Sequence, residues 1–384
     1  MIDFLDIVGQ DDALAELQQS LAADRMPHAF LFLGPGGVGR RTTATALAKL
    51  LLCESPSKRP NLGRLPALDK DFQLQLPCGA CPGCKMMDSG AHPDFHSVYK
   101  ELARYHESSQ VRSRVMQDLG IDVIRGFLID AANRASTRRR GKVFVVLEAE
   151  LMSEPAQNAL LKTLEEPPPL VRIILLCRSA GEMLPTTLSR CRQVHFRPLP
   201  RAFVREHLAR GGLPAEESAF WAAFTNGSIG TALRMAAGGM YAIKRDVVDR
   251  LAALGKSGSA EVAEHLAKLA EKLADAALTQ AKQEQGVELS KLLATRRAGG
   301  WMIELIASAF RDTLSLATSA PREAVNVDQP AAIAALAKRF SPLQLAEIIE
   351  QLSEYEQLLW RNVNPRLIWD NLAITAASAA PLRL

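Results

Sequence analysis

One stretch constrains the fold more than any other, residues 29–53. Ala29-Phe-Leu-Phe-Leu33 is a short apolar run of strand length. It passes into Gly34-Pro35-Gly36-Gly37-Val38-Gly39, and an Ala/Leu-rich helical pattern then runs from Thr42 to Cys53. Strand, G-x-x-x-x-G and helix make the frame of a P-loop, whose glycines let backbone N–H groups close around phosphates at a helix N-terminus. The next two positions of such a loop are Lys, which reaches the β- and γ-phosphates, and a Ser or Thr whose hydroxyl binds Mg²⁺. Here they are Arg40 and Arg41. Arg40 keeps the charge on a bulky planar fork. Arg41 has no oxygen to offer, and Thr42 stands one place late, about 100° around a helix axis. Gly34, Gly36, Gly37, Gly39, Arg40, Arg41 and Thr42 therefore read either as a worn phosphate loop or as a glycine-rich connection with no ligand, so ATP or ADP binding by the chain itself is in doubt.

Further strands and helices alternate after this unit. Lys142–Leu147 is a β-branched run, Pro155–Glu166 a helix with Ala156, Ala159, Leu160 and Leu164 on one face, and Arg172–Cys177 another buried strand. Pro167–Pro169 end the helix between them. Such alternation predicts an α/β fold with a parallel sheet. An intact nucleotide site would carry Asp-Glu where Leu147-Glu148 stands, so a second magnesium position is also lost. Beyond about Pro198 the pattern is helical. We expect three domains: 1–198, an α/β domain; 199–245, a small helical domain; and 246–384, an all-α domain punctuated by Gly299-Gly300, Pro321, Pro330, Pro342 and Pro365. Residues 54–77 read as an insertion without periodicity.

Cys53, Cys78, Cys81 and Cys84 follow the spacing C-x24-C-x2-C-x2-C, with Gly79 and Gly83 allowing tight turns. Soft thiolates in C-x-x-C steps suit tetrahedral zinc, and four of them leave no vacancy for water, so the expected ion is structural, within a module of about residues 53–84. His92, in His92-Pro93-Asp94, reads as part of a turn, and Cys177 as core. Six cysteines in 384 residues make no disulfide scaffold. No apolar run approaches the roughly 20 residues of a membrane span. Asp3 and Asp6 replace the basic start of a secretory signal. A cytoplasmic protein without membrane contact is expected. Lys plus Arg number 46 against 42 Asp plus Glu, and a net charge of +4 excludes a polybasic coat while leaving room for a local basic face. Arg138-Arg139-Arg140 with Lys142 is such a run, read as a solvated turn or as a contact to a nucleic-acid backbone. Arg190, in Ser189-Arg190-Cys191, reads alone as a surface ion pair. Its sharper reading is a guanidinium that reaches a neighbour's phosphate, from a loop at the carboxyl ends of the strands.

Together these residues resemble the AAA+ clamp-loader family of bacterial DNA polymerase III, most closely its delta-prime branch. The resemblance rests on Val8-Gly9-Gln10, Cys78-Gly-Ala-Cys-Pro-Gly-Cys84, Gly90-Ala-His-Pro-Asp94, Asn158 to Pro168 (NALLKTLEEPP) and Leu188-Ser-Arg-Cys191. It covers Ile7 to about Ala237 well. The C-terminal region is covered weakly, at Asn362-Val-Asn-Pro-Arg-Leu367. It implies an AAA+ module built from the first two domains, a small helical lid among them, and a C-terminal collar that holds a pentameric loader together. It also implies zinc on the four cysteines, and Arg190 as an arginine finger acting in trans on ATP of an adjacent tau/gamma-type ATPase subunit. The implied partners are those subunits, a delta subunit, the sliding clamp and primer-template DNA. In Gly227-Ser-Ile-Gly230, Gly230 stands where an active relative carries a sensor arginine. The departures at Arg40, Arg41, Leu147 and Gly230 agree with one another and point to a non-hydrolysing subunit, the competing expectation being an ATP-hydrolysing motor in which Arg40 replaces lysine.

Overall fold

The computed structural model describes residues 4–23, 26–112, 118–253, 258–285, 290–320, 323–361 and 363–378. The chain divides into two compact units, Met1–Pro200 and Arg201–Leu384.

The first unit is built on a five-stranded parallel sheet. Its strands belong to the series β1 (Ala29–Leu33), β2 (Ser57–Pro60), β3 (Gln73–Leu76), β4 (Phe95–Val98), β5 (Lys142–Val146), β6 (Val171–Cys177) and β7 (Arg192–His195), and the sheet order is β4-β5-β6-β1-β7. β1 pairs with both β6 and β7, Phe30 opposite Ile174 and Arg192. Phe30 and Phe32 enter one core, with Leu14, Leu17, Ala44 and Leu47 from the helices Asp11–Ala22 and Arg40–Leu51. Ala29, Leu31 and Leu33 enter the other, with Ala156, Leu160 and Leu164 from the helix Glu154–Glu165. A strand apolar on both faces needs a helical layer on each, which is why it reads as a continuous run. β1, β5 and β6 are the three strands expected from sequence. β4 (FHSV) and β7 (RQVH) are the polar edges of the sheet.

The stretch 54–77 has an order that the sequence reading does not give it. β2 and β3 form an antiparallel hairpin, Ser57 opposite Leu76 and Pro60 opposite Gln73. The alternation Gln73-Leu-Gln-Leu76 has Leu74 and Leu76 buried. Buried Asn61 organises the loop: its amide donates to the carbonyls of Leu65, Leu68 and Asp69 at 3.0, 2.9 and 3.1 Å, and its Oδ1 accepts from Leu65 N at 2.8 Å. Gln18 pairs twice with the backbone of Gln75, at 2.9 and 2.8 Å.

The second unit is helical among its described residues. Pro330, Pro342 and Pro365 open the helices Pro330–Arg339, Pro342–Trp360 and Pro365–Ser378, where a missing N–H costs nothing. Ser341 and Gln344 complete a capping box. Gly299-Gly300 does not interrupt the chain. The helix Lys291–Ala317 runs through it, and a Cβ on Gly299 would stand 2.9 Å from Leu359 Cδ1. Gly299 thus sets a close helix approach, a role that composition alone does not distinguish from a break. Fully buried Lys244 donates to Asp328 at 2.5 Å and lies 4.3 Å from the Phe220 ring centre. The expected division at 245 and 246 falls within the helix Met240–Ala252. Pro321 and Asn362 lie outside the described residues. Among the described residues, no helix is long and apolar enough to cross a membrane.

Candidate functional site

The helix Arg40–Leu51 delivers Cys53 at its end, the hairpin brings the chain back to Cys78, and Cys81 caps the short helix Pro82–Asp88 that carries Cys84. The four Sγ atoms lie within 4.8 Å of one another. Cys53 to Cys78 is 3.5 Å, Cys53 to Cys81 is 3.9 Å and Cys78 to Cys84 is 4.0 Å. A tetrahedral ion with Zn–S bonds of about 2.3 Å sets its sulfurs about 3.8 Å apart, so the donor set fits zinc. Backbone N–H groups of Cys78, Cys81 and Cys84 donate to the sulfurs of Cys53, Cys78 and Cys81 at 3.3, 3.3 and 3.4 Å. Such bonds favour thiolate, and those from Cys81 and Ala80 bring Cys78 down to about 6. Burial pushes Cys53 and Cys84 up. A cation reverses that burial penalty. Gly83 is required by close approach, since a Cβ there would meet the Leu52 carbonyl oxygen at 2.8 Å. His92 stands apart from the cluster: its Nδ1 accepts from Asp94 N at 3.1 Å.

The glycine-rich turn after β1 has a backbone that requires glycine. Gly34, Gly37 and Gly39 have φ of 147°, 73° and 108°, and a Cβ on Gly34 would meet the Phe196 carbonyl oxygen at 2.3 Å. Gln10 pins the loop, donating to the carbonyls of Val38 and Arg197 at 3.0 and 2.7 Å. The side chains have changed the chemistry. Arg41 is exposed, Thr42 is half-buried and Thr43 is buried. Arg40 is drawn inward; burial lowers its pKa against the opposing charge of Glu150. Its Nη1 is buried without a hydrogen-bond partner. Glu150 pairs with Arg178 at 3.1 Å, and burial raises its pKa. From the lysine position the guanidinium thus feels the negative charge of a carboxylate of its own chain, Glu150.

Arg190 lies elsewhere on the sheet than the sequence reading expects. β6 ends at Cys177, but the helix Pro185–Leu188 carries the chain back, and Arg190 stands two residues before Arg192, which pairs with Phe30 near the start of β1. The loop is therefore at the amino edge of the sheet, with Gly34 at the carboxyl edge about 16 Å away by strand rise. Cys191 is buried, and burial pushes its thiol up to about 12. Ser189 Oγ donates to Thr186 O at 3.1 Å. Arg190 Nε donates to Glu165 at 2.7 Å and Nη1 to Thr186 O at 2.8 Å.

The family model described as DNA polymerase III, delta subunit, matches residues 9–200, and the model of that subunit's C-terminal region matches residues 246–376. The chain belongs to the DNA polymerase III delta-subunit family. Members with which it shares sequence include DNA polymerase III subunit delta' of Escherichia coli, 27% identical over 90% of this chain and 86% of that one. Subunit delta' of Pseudomonas aeruginosa is 33% identical over 58% of this chain and 60% of that one. DNA polymerase III subunit tau of E. coli is 32% identical over 53% of this chain, which spans only 27% of that longer protein. The first unit has the AAA+ form expected of a clamp-loader subunit, a parallel sheet with helices on both faces.

Within this delta-family chain, several residues that hold the sites together escaped the sequence reading. Asp94, fully buried, accepts from the backbone of Thr137 and Arg138 at 2.7 and 2.8 Å. It thereby fixes the basic run. Arg138 itself pairs with Glu54, and buried Lys142 donates to the carbonyls of Ala131 and Arg134, leaving Arg139 and Arg140 as the exposed cations of the run. Gln157 and Glu165 flank the Arg190 loop. Both lie in or beside the NALLKTLEEPP segment, but nothing in its periodicity marks them.

Proposed function

We propose that this chain is the non-hydrolysing, delta-prime-type subunit of a clamp loader. In that role it helps place the sliding clamp on primer-template DNA in the cytoplasm, together with a delta subunit and tau/gamma-type ATPase subunits. Residues 199–245 would act as the lid of its AAA+ module and 246–384 as the collar. Cys53, Cys78, Cys81 and Cys84 would hold one zinc, which supplies a fixed tetrahedral crosslink between the end of the helix Arg40–Leu51 and the helix Pro82–Asp88. Arg190, with Ser189 and Cys191 shaping its loop, would reach the γ-phosphate of ATP held by the adjacent subunit and stabilise the charge that builds there.

The observation that carries the reading is the pairing of an exposed Arg41 with an apolar Leu147 where two magnesium ligands are needed. Without those ligands, charge developing on the transferred phosphoryl group lacks the divalent counter-ion that such a site uses. The position of Arg190 adds support: an arginine at the opposite edge of the sheet from its own phosphate loop serves a neighbour more readily than itself. The intact glycine frame and the similarity to tau favour a second reading, an ATP-hydrolysing motor. A steady-state ATPase assay of the isolated chain separates the two. We expect no magnesium-dependent turnover. Turnover that disappears in Arg40→Ala establishes the motor instead.

A further inference from the structure

Arg190 is not held open. A guanidinium has five N–H donors, and all three nitrogens of Arg190 are engaged within its own chain. Nε donates to Glu165 Oε1 at 2.7 Å, and Nη2 contacts the same oxygen. Nη1 donates to Thr186 O at 2.8 Å and to Ser189 Oγ at 3.3 Å. The frame around this arrangement is firm. Gln157 Oε1 accepts from Leu184 N at 2.9 Å and from Thr187 Oγ1 at 3.4 Å, tying the helix Pro185–Leu188 to the helix Glu154–Glu165. Glu165 is the last residue of that second helix. The two ends of one helix therefore fix the loop and hold its arginine.

We propose that Glu165 is a positioning residue that keeps Arg190 withdrawn until the triphosphate of an adjoining subunit displaces it. The inference rests on the arginine-finger reading of Arg190. The arginine side chain is 32% exposed and the glutamate 48%. At that exposure an ion pair is weak, so a phosphate with more charge and several acceptor oxygens can take its place. The pair thus biases a two-position side chain without locking it. Removing the bias shifts the population toward the extended form before the clamp and DNA arrive. Glutamine in place of Glu165 keeps the shape and one acceptor but drops the charge; aspartate keeps the charge.

The test uses the reconstituted clamp loader carrying wild-type chain, Glu165→Gln, Glu165→Asp, Arg190→Ala or the Glu165→Gln/Arg190→Ala pair. ATPase is measured over a range of ATP with and without clamp and primed DNA. Glu165→Gln should raise the unstimulated kcat of the adjoining site by roughly 1.5- to 5-fold, the weight of an exposed ion pair. The stimulated rate and the KM for ATP should stay unchanged. Glu165→Asp should stay near wild type, and the gain should vanish in the Arg190→Ala background. An unstimulated rate equal to or below wild type in Glu165→Gln overturns the holding role, as does a gain that survives Arg190→Ala. Arg190→Ala with wild-type ATPase overturns the arginine-finger reading itself, a separate result.

Discussion

Cys177 ends β6 fully buried, and burial pushes its thiol up to about 11. Below about pH 9 the thiol is protonated in the folded and unfolded chain alike. Between about pH 9 and pH 11 the unfolded chain ionises and the folded chain does not, so the folded state binds more protons there. Stability therefore falls as pH rises through that window. Each tenfold drop in proton concentration across it costs about 1.4 kcal/mol, so the loss from this one thiol reaches about 2–3 kcal/mol by pH 11. Cys191, buried and pushed up to about 12, acts with the same sign. We expect urea stability to fall between about pH 9 and pH 11, with a shallower fall in Cys177→Ala. That variant loses stability at every pH through its cavity, but the slope isolates the titration. Equal slopes in the two proteins remove Cys177 as a source.

At the scale of elements, the cysteine module is a hairpin and a short helix crosslinked at one point. The parallel sheet has two apolar cores: Leu74, Leu76 and Met87 of the module join one, and the other is built without any module residue. We expect metal analysis to find one zinc per chain. A chelator should increase hydrogen exchange in residues 53–95 while β1, β5 and β6 stay protected, because the loss is local. Gly83→Ala, which sets a Cβ against the Leu52 carbonyl oxygen, should weaken zinc retention without lowering the stability of the sheet. Protein purified without chelators and free of zinc refutes the crosslink. What was legible here divides along physical lines. The central strands were readable because burial on both faces leaves apolar runs, broken only by Lys142 and Arg172 near the starts of β5 and β6. The edge strands β4 and β7 were not, because half their surface is solvent and their sequences, FHSV and RQVH, carry no period. The cysteines were readable from spacing alone. The 61–72 loop was not, because one asparagine with four hydrogen bonds organises it, and a polar residue in a polar stretch gives no signal. The Arg190 loop was expected at the carboxyl edge of the sheet and lies at the amino edge, since the return made by the helix Pro185–Leu188 is invisible to a rule that counts strands.

On the reading proposed above, the whole molecule acts on ATP hydrolysis through a neighbour, and geometry sets what that requires. Its own phosphate loop and Arg190 occupy opposite edges of one sheet, so a chain placed between two others shows the loop to one and the arginine to the other. Arginine fingers in phosphoryl transfer contribute about 10³–10⁵ in rate at the site they complete. Arg190→Ala removes a partly exposed side chain whose ion pair adds little to stability. Folding, zinc content and complex assembly should therefore survive it. In the reconstituted loader, clamp- and DNA-stimulated ATPase should fall by a modest fraction, because one site among several is affected. Clamp loading onto primed DNA should fall further than the ATPase. Arg190→Lys keeps the charge and loses the planar fork, so it should restore loading only in part. The measurement is loading rate at saturating ATP for the three proteins side by side. Wild-type loading by Arg190→Ala makes the arginine a surface residue that pairs with Glu165 and its own loop without acting on a neighbour.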